Sequence, residues 1–331
     1  MGIVDPDDLL RFLAQPMPAF SATAPGKIIL FGEHAVVYGR PAIAVPVSQV
    51  RARAVVMAIP HGLPGQAWIV SRDIGLDCDA ADLDRNHPLL QAIQATVAQL
   101  GVTDLPAVRL QVSSNIPIAA GLGSGAAVSA AVARALSAFL GRPLPNEAVS
   151  SVSFQVDQIL HGTPSGIDNT VVTYAQPIWF VRDQPFELLK VRENFIVVIG
   201  NTGVSGPTRT IVSDVRQRWQ ADPEQFERLF DEIGVIAQQA RVIMEQSDPA
   251  GLGPLMLRNQ ALLQALDVSS PELERLVDAA MQAGAHGAKL CGAGRGGNMI
   301  ALVDPEQAEP VAASLKQAGA SHTIITTISK T

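Results

Sequence analysis

The stretch Pro117-Ile-Ala-Ala-Gly-Leu-Gly-Ser-Gly-Ala-Ala127 decides the reading of this chain. It joins an alternating segment, in which Val108, Leu110 and Val112 are separated by polar residues, to an alanine-rich segment with Val128, Val132, Leu136 and Phe139 at helical spacing. The first pattern predicts a strand with one buried face and the second a buried helix ended by Gly141 and Pro143. A glycine-rich loop running from a strand into a helix brings successive backbone N–H groups together at the positive end of the helix. Such a loop can cradle phosphate oxygens without a basic side chain. It lacks the Gly-Lys-Ser/Thr of a Walker loop and is no clean dinucleotide fingerprint. A tight turn chosen for packing would look the same in isolation.

The 24 uncharged residues from Leu110 to Ala133 are long enough to span a bilayer. Asn115, Pro117, Gly121, Gly123 and Gly125 interrupt them, so strand, loop and helix is the better reading. Around this centre the chain has 331 residues, 47% apolar and 17% charged, a folded composition with room for two domains. Acidic residues outnumber basic ones 31 to 24, for a net charge of −7, and there is no basic run. That sign disfavours nucleic acid and anionic membranes as partners. Cys78 and Cys291 stand far apart, which predicts neither a disulfide framework nor a metal cluster and fits a reducing, cytoplasmic setting. Asp5, Asp7 and Asp8 give the N-terminus a charge opposite to that of an export signal.

The first half reads as strand-rich, with candidates at Phe20–Ala24, Lys27–Phe31, Ala42–Val47, Arg51–Ile59 and Trp68–Ser71. Helices follow at Pro88–Leu100, capped by Gly101, and from Asn146 to His161. From about Phe186 the order is a strand at Phe195–Ile199, a long helical stretch broken at Pro223, Pro249 and Pro271, and strands at Gly287–Cys291 and Asn298–Val303. A helix at Pro305–Ala318 and a strand at Thr323–Ile328 complete it. Grouped, this is the β-α-β-β-α-β order of a ferredoxin-like sheet with inserted helices. The expected fold is therefore α+β with two domains, 1–185 and 186–331.

Three further blocks carry chemistry. Ala24-Pro-Gly-Lys-Ile-Ile-Leu-Phe-Gly-Glu-His-Ala-Val-Val-Tyr-Gly39 sets Lys27 at the start of an apolar strand and Glu33 and His34 just past its end. These side chains suit an acidic or hydroxylated ligand, or an ordinary surface ion pair. In His161-Gly-Thr-Pro-Ser-Gly-Ile-Asp-Asn169 a turn delivers Asp168 into what reads as a valine-rich strand. A carboxylate there can accept a hydroxyl proton, or cap its own turn. Lys289-Leu-Cys-Gly-Ala-Gly-Arg-Gly-Gly-Asn298 is a second glycine loop, between two strands.

In this order the four blocks resemble the small-molecule kinase superfamily of galactokinase, homoserine kinase, mevalonate kinase and phosphomevalonate kinase. The resemblance runs from Ala22 to Val303. The blocks at Pro25–Gly39 and His161–Asn169 are similar to those of mevalonate kinases; galactokinases tend to carry Arg at the Lys27 position. The resemblance implies an N-terminal domain like ribosomal protein S5 and a ferredoxin-like C-terminal domain. It implies ATP-dependent phosphorylation of (R)-mevalonate at its primary hydroxyl for isoprenoid synthesis, with Mg²⁺ as cofactor. Partners would be mevalonate and ATP, with a homodimer as an option.

By position, Asp168 would be the base or orienter and Lys27 its catalytic neighbour. Gly121, Leu122, Gly123, Ser124, Gly125 and Ala126 would hold ATP phosphates, and Gly292, Ala293, Gly294 and Gly296 would shape the cleft. Glu33, His34 and Arg209 would bind mevalonate, Arg209 at its carboxylate, and Asp157 and Ser124 would bind the metal. Three positions depart from the family pattern: Gly125 replaces a serine, Asp157 a glutamate and Arg295 a glycine. Arg295 reads as a solvent-facing loop residue, with a phosphate contact as the alternative. The competing functions are phosphorylation of another small alcohol, such as phosphomevalonate or a sugar, and non-catalytic nucleotide binding.

Overall fold

The computed structural model describes residues 18–331 except 118–120, 162, 163, 205, 207 and 247. The acidic start at Asp5, Asp7 and Asp8 lies outside the described residues. Two strands dominate the first half, β1 (Phe20–Phe31) and β2 (Ala42–Ala58), paired antiparallel with register shifts at Pro25/Gly26 and Ile29/Phe31. The sequence divides each into two strands, at Pro25-Gly26 in the first and at the polar Ser48-Gln49 in the second. The structure carries β1 through its proline with a bulge, where a missing N–H is tolerated.

β3 (Ala67–Ser71), β4 (Leu76–Asp79), β5 (Val108–Ser114), β6 (Ile178–Phe180) and β7 (Glu187–Leu188) complete a seven-stranded sheet. Its order is β4-β3-β5-β2-β6-β7, with β1 on β2, and only β3 and β5 run parallel. The short strands β4, β6 and β7 carry too few residues to show a period of two, and the sequence analysis missed them.

Helices α1 (Pro88–Leu100), α2 (Ser124–Phe139), α3 (Asn146–His161) and α4 (Ile167–Tyr174) cover one face of this sheet, with α2 packed on β1 and β2. Ala126, Ala127, Ala130, Ala131, Ala133 and Ala135 of α2 are all buried. Their small side chains let the helix lie close to the strands. One expectation is corrected here: Asp168 does not enter a strand but stands in the first turn of α4. The run Ile-Asp-Asn-Thr-Val-Val-Thr-Tyr has strand propensity, yet Ile167, Asn169, Thr170, Val171, Val172 and Thr173 are all buried and packing overrides that preference.

The second half is a four-stranded antiparallel sheet ordered β11-β8-β10-β9, from β8 (Phe195–Asn201), β9 (Gly287–Cys291), β10 (Asn298–Val303) and β11 (His322–Ile328). This is the ferredoxin-like arrangement expected from the element order. α5 (Thr208–Ala221), α6 (Pro223–Gln246), α7 (Leu252–Ala265) and α8 (Pro271–Gln282) intervene between β8 and β9. α9 (Ala308–Gln317), entered through a 3₁₀ turn, precedes β11. One hydrophobic core joins the two sheets, with Ala24 and Val45 in the same cluster as Val197, Ile300 and Ile328. Among the described residues no helix is long and apolar enough to cross a membrane.

Candidate active site

Lys27 organises the site. It leaves the β1 bulge with its backbone N–H bonded to the Leu122 carbonyl at 2.9 Å, so the first block and the glycine-rich loop are in direct contact. Gly123 caps α2 in the left-handed region, φ 72°, and a Cβ there would stand 2.9 Å from Lys27 Cγ. Only glycine suits both the backbone angle and the lysine stem beside it. Gly121, Leu122, Gly123, Ser124, Gly125 and Ala126 thus form the turn and first residues of α2, with its positive end facing the lysine's surroundings. Ile118, Ala119 and Ala120 of the same loop are outside the described residues.

From the other side comes α4. Asp168 in its first turn places Oδ1 2.9 Å from Lys27 Nζ; the lysine side chain is 5% exposed and the aspartate 36%. Burial opposes the ammonium, but Asp168, with smaller help from Cys291 and Asp157, holds the Lys27 pKa above its ordinary value. Two helix N-termini, α2 and α4, therefore converge on one buried cation and one accessible carboxylate. Such an arrangement can hold anionic groups and accept a proton from a hydroxyl.

Asp157 lies buried on α3. Burial, and secondarily the charge of Asp168, push its carboxyl up to about 7, against the pull of Lys27. Two mutually repelling carboxylates beside a phosphate-type loop suit Mg²⁺, which needs one or two protein carboxylates and takes its other ligands from phosphates and water. No cluster of three or more acidic, histidine or cysteine donors exists among the described residues. The donor set thus fits a metal brought in with a nucleotide rather than a protein cage. Ser124 opens α2 as its first residue.

Glu33 and His34 follow β1 and meet the third loop. The Glu33 carboxylate is fully buried and bonded to Lys289 Nζ, and it accepts from Asn259 Nδ2 at 3.3 Å. Burial pushes its pKa up despite Lys289. His34, at φ 60°, has Nε2 2.9 Å from the Ala293 carbonyl oxygen, and burial lowers its pKa to about 4, so the ring is neutral and donates there. Cys291 donates to the Ile29 carbonyl at 3.3 Å, and burial lifts its thiol to about 11. Residues from both halves are thus stitched along one seam beside Gly292, Ala293, Gly294 and Gly296.

Arg209 is exposed in the first turn of α5 and makes no contact with Lys27 or Asp168. Its approach segment does reach the third loop: a Cβ on Gly206 would lie 3.0 Å from the Gly294 carbonyl oxygen. Arg295 keeps 31% of its side chain exposed, as a loop residue at the surface would, but its head is engaged. Its guanidinium is held by Asp214 at 2.5 Å and Asp267 at 3.4 Å. Sequence reasoning gave no role to Lys289, Asn259, Asp214 or Asp267. Lys289 had a signal, as the one charge in the strand Gly-Ala-Lys-Leu-Cys; the other three sit on helices or turns without a motif.

The chain matches the GHMP kinases N terminal domain over residues 87–176 and the GHMP kinases C terminal domain over residues 240–321. Mevalonate kinase of Pyrococcus abyssi is 37% identical over 330 residues, covering 93% of this chain and 95% of the relative. That of Thermococcus sibiricus is 38% identical over 333 residues, covering 93% and 96%. A crystal structure of L. major mevalonate kinase in complex with R-mevalonate superposes with a TM-score of 0.82 at 30% identity, covering 96% of this chain and 98% of that one. The glycine-loop, lysine and aspartate geometry and these likenesses along nearly the whole length agree, and the chain belongs to the GHMP kinases, in their mevalonate kinase family.

Proposed function

We propose that this chain transfers the γ-phosphoryl group of ATP to the primary hydroxyl of (R)-mevalonate, giving 5-phosphomevalonate and ADP. The observation that carries the reading is the Lys27–Asp168 pair at the meeting point of the α2 and α4 N-termini. The hydroxyl oxygen forms a bond to the γ-phosphorus while the bond to the β,γ-bridging oxygen breaks. Asp168 takes the hydroxyl proton, and its exposed oxygen is the side from which an alcohol can approach. Lys27, kept protonated by its neighbour, offers N–H to the transferring oxygens, so charge that develops there meets a fixed cation in a dry setting.

The residues Gly121 to Ala126 are assigned to the ATP phosphates, on the strength of the helix N-terminus they form. Asp157 and Ser124 would hold Mg²⁺, which, when bound, would neutralise phosphate charge. His34 and Arg209 are assigned to the acceptor, His34 as a neutral donor and Arg209 as a cation for the carboxylate. The buried carboxylate of Glu33 supports a different part, fixing His34 and the third loop from behind. In this reading residues 1–185 supply the nucleotide and the chemistry, and residues 186–331 close the acceptor side. A cytoplasmic setting, supported by two unpaired cysteines, and a homodimer belong to the same proposal.

Acceptor-dependent ADP release tests the reading, with mevalonate, phosphomevalonate, galactose and homoserine compared at equal concentration. Release with mevalonate above the other three supports it. Preference for another alcohol would overturn the substrate and leave the phosphotransfer standing.

A further inference from the structure

Arg295 occupies a left-handed backbone conformation, φ 50°, inside the third glycine loop, where glycine would rest more easily. Its backbone and side chain together hold two elements at once, α5 and the turn after α7. The backbone N–H donates to the Val268 carbonyl at 2.6 Å, and Nε donates to the Asp267 carbonyl at 3.1 Å. Nη1 donates to Asp214 Oδ2 at 2.5 Å and Nη2 lies 3.4 Å from Asp267 Oδ2. Asp214 is on α5, and Asp267 just follows α7, where it also takes Arg218 of α5 at 2.6 Å. Arg218, Asp267, Arg295 and Asp214 thus alternate in charge from helix to loop and back to the same helix.

The loop is held from beneath as well. A Cβ on Gly294 would fall 1.9 Å from the Val268 carbonyl oxygen, so the loop backbone lies directly on that turn. Gly297 N–H donates to the Val204 carbonyl at 2.8 Å, and a Cβ on Gly206 would lie 3.0 Å from the carbonyl oxygens of Gly294 and Arg295. The segment bearing Val204 and Gly206 continues into α5, whose first turn carries Arg209. On the opposite flank the same loop accepts from His34 through Ala293.

We propose that Arg295 is a positioning residue for the acceptor: by clamping the third glycine loop to α5, it sets the distance between the His34 flank and the α5 start that bears Arg209. This rests on the mevalonate reading above. A forked guanidinium is suited to the task because it holds two carboxylates and a carbonyl in fixed directions. A lysine would satisfy one of them.

Arg295→Gly is the first test, since glycine accepts φ 50° and the variant keeps the fold. The KM for mevalonate should rise about tenfold, while kcat and the KM for ATP stay within about twofold, a pattern of lost uniform acceptor binding. Asp214→Asn should reproduce part of the rise, and the double variant should be no worse than Arg295→Gly alone, because that variant already lacks the Asp214 contact. Arg295→Lys should recover less than half of the loss. An unchanged mevalonate KM, a rise confined to ATP, or additive losses would each overturn the proposal. Amide hydrogen exchange without substrate separates this outcome from a wrong acceptor. Should the wild type ignore mevalonate, faster exchange in 208–216 and 292–297 of Arg295→Gly still supports the clamp, and unchanged exchange refutes it.

Discussion

Lys27 Nζ and Asp168 Oδ1 stand 2.9 Å apart, the lysine sealed and the aspartate open on one side. The asymmetry assigns their work: the buried partner fixes geometry and the exposed one meets the alcohol. Asp168→Asn preserves shape and removes the proton acceptor, so kcat should fall by about 10² to 10⁴ with ATP affinity barely changed. Steady-state kinetics with nucleotide titration checks this, and a near-normal kcat would remove Asp168 from its role.

Lys27→Met keeps the stem packed against Gly123 and takes away the charge. We expect kcat to drop by at least about 10²-fold. The melting temperature should move little, because Asp168 is left partly solvated. If the variant instead melts early and retains its turnover, Lys27 is a structural ion-pair partner only.

Asp157 gives a pH-dependent prediction. Its carboxyl titrates near 7 in the fold and near 3.8 unfolded, so the folded chain binds the extra proton between those values. Stability from this group is therefore lost as pH rises from about 4 to 7. Asp157→Asn should stabilise the metal-free protein at pH 8, by about 2 to 4 kcal/mol at most, and have no such effect at pH 4. It should also raise the Mg²⁺ needed for half-maximal rate. Melts in chelator at both pH values, beside a Mg²⁺ titration, decide it.

The Glu33–Lys289 pair predicts a non-additive cycle. Lys289→Met alone leaves a buried carboxylate without its cation and should cost about 3 to 5 kcal/mol, whereas Glu33→Gln with Lys289→Met removes both charges and should cost far less. Denaturant melts of the four proteins measure the coupling. Additive losses would mean that the pair is not coupled in the fold.

Arg209→Ala should weaken mevalonate binding by about 1.5 to 3 kcal/mol, the range for a hydrogen bond to a charged group, and leave ATP binding unchanged. An unaltered KM for mevalonate would show that the carboxylate is held elsewhere.

The sequence was most legible where local chemistry and fold agree. Gly101 ended α1 as expected, and β9 and β10 have the bounds that their apolar patterns predict. The helix at Asp168 was misread because eight residues with two valines and two threonines look extended until the packing around them is known. The glycine-rich loop and Lys27 were legible as motifs, but their contact through Leu122 is a tertiary fact. Arg295 defeated sequence reading because its partners Asp214 and Asp267 lie 81 and 28 residues away on surfaces that no periodicity links.

The seam formed by Glu33 with Lys289, His34 with Ala293 and Cys291 with Ile29 also bears on how the chain comes apart. Each of these links joins the first sheet's half to the second's, and the first is an ion pair that neither half can neutralise alone. Cutting the chain between the two sheets would part these two charges and open the seam around them to water. Neither fragment should fold by itself, and the intact protein should lose both sheets in one cooperative transition rather than two.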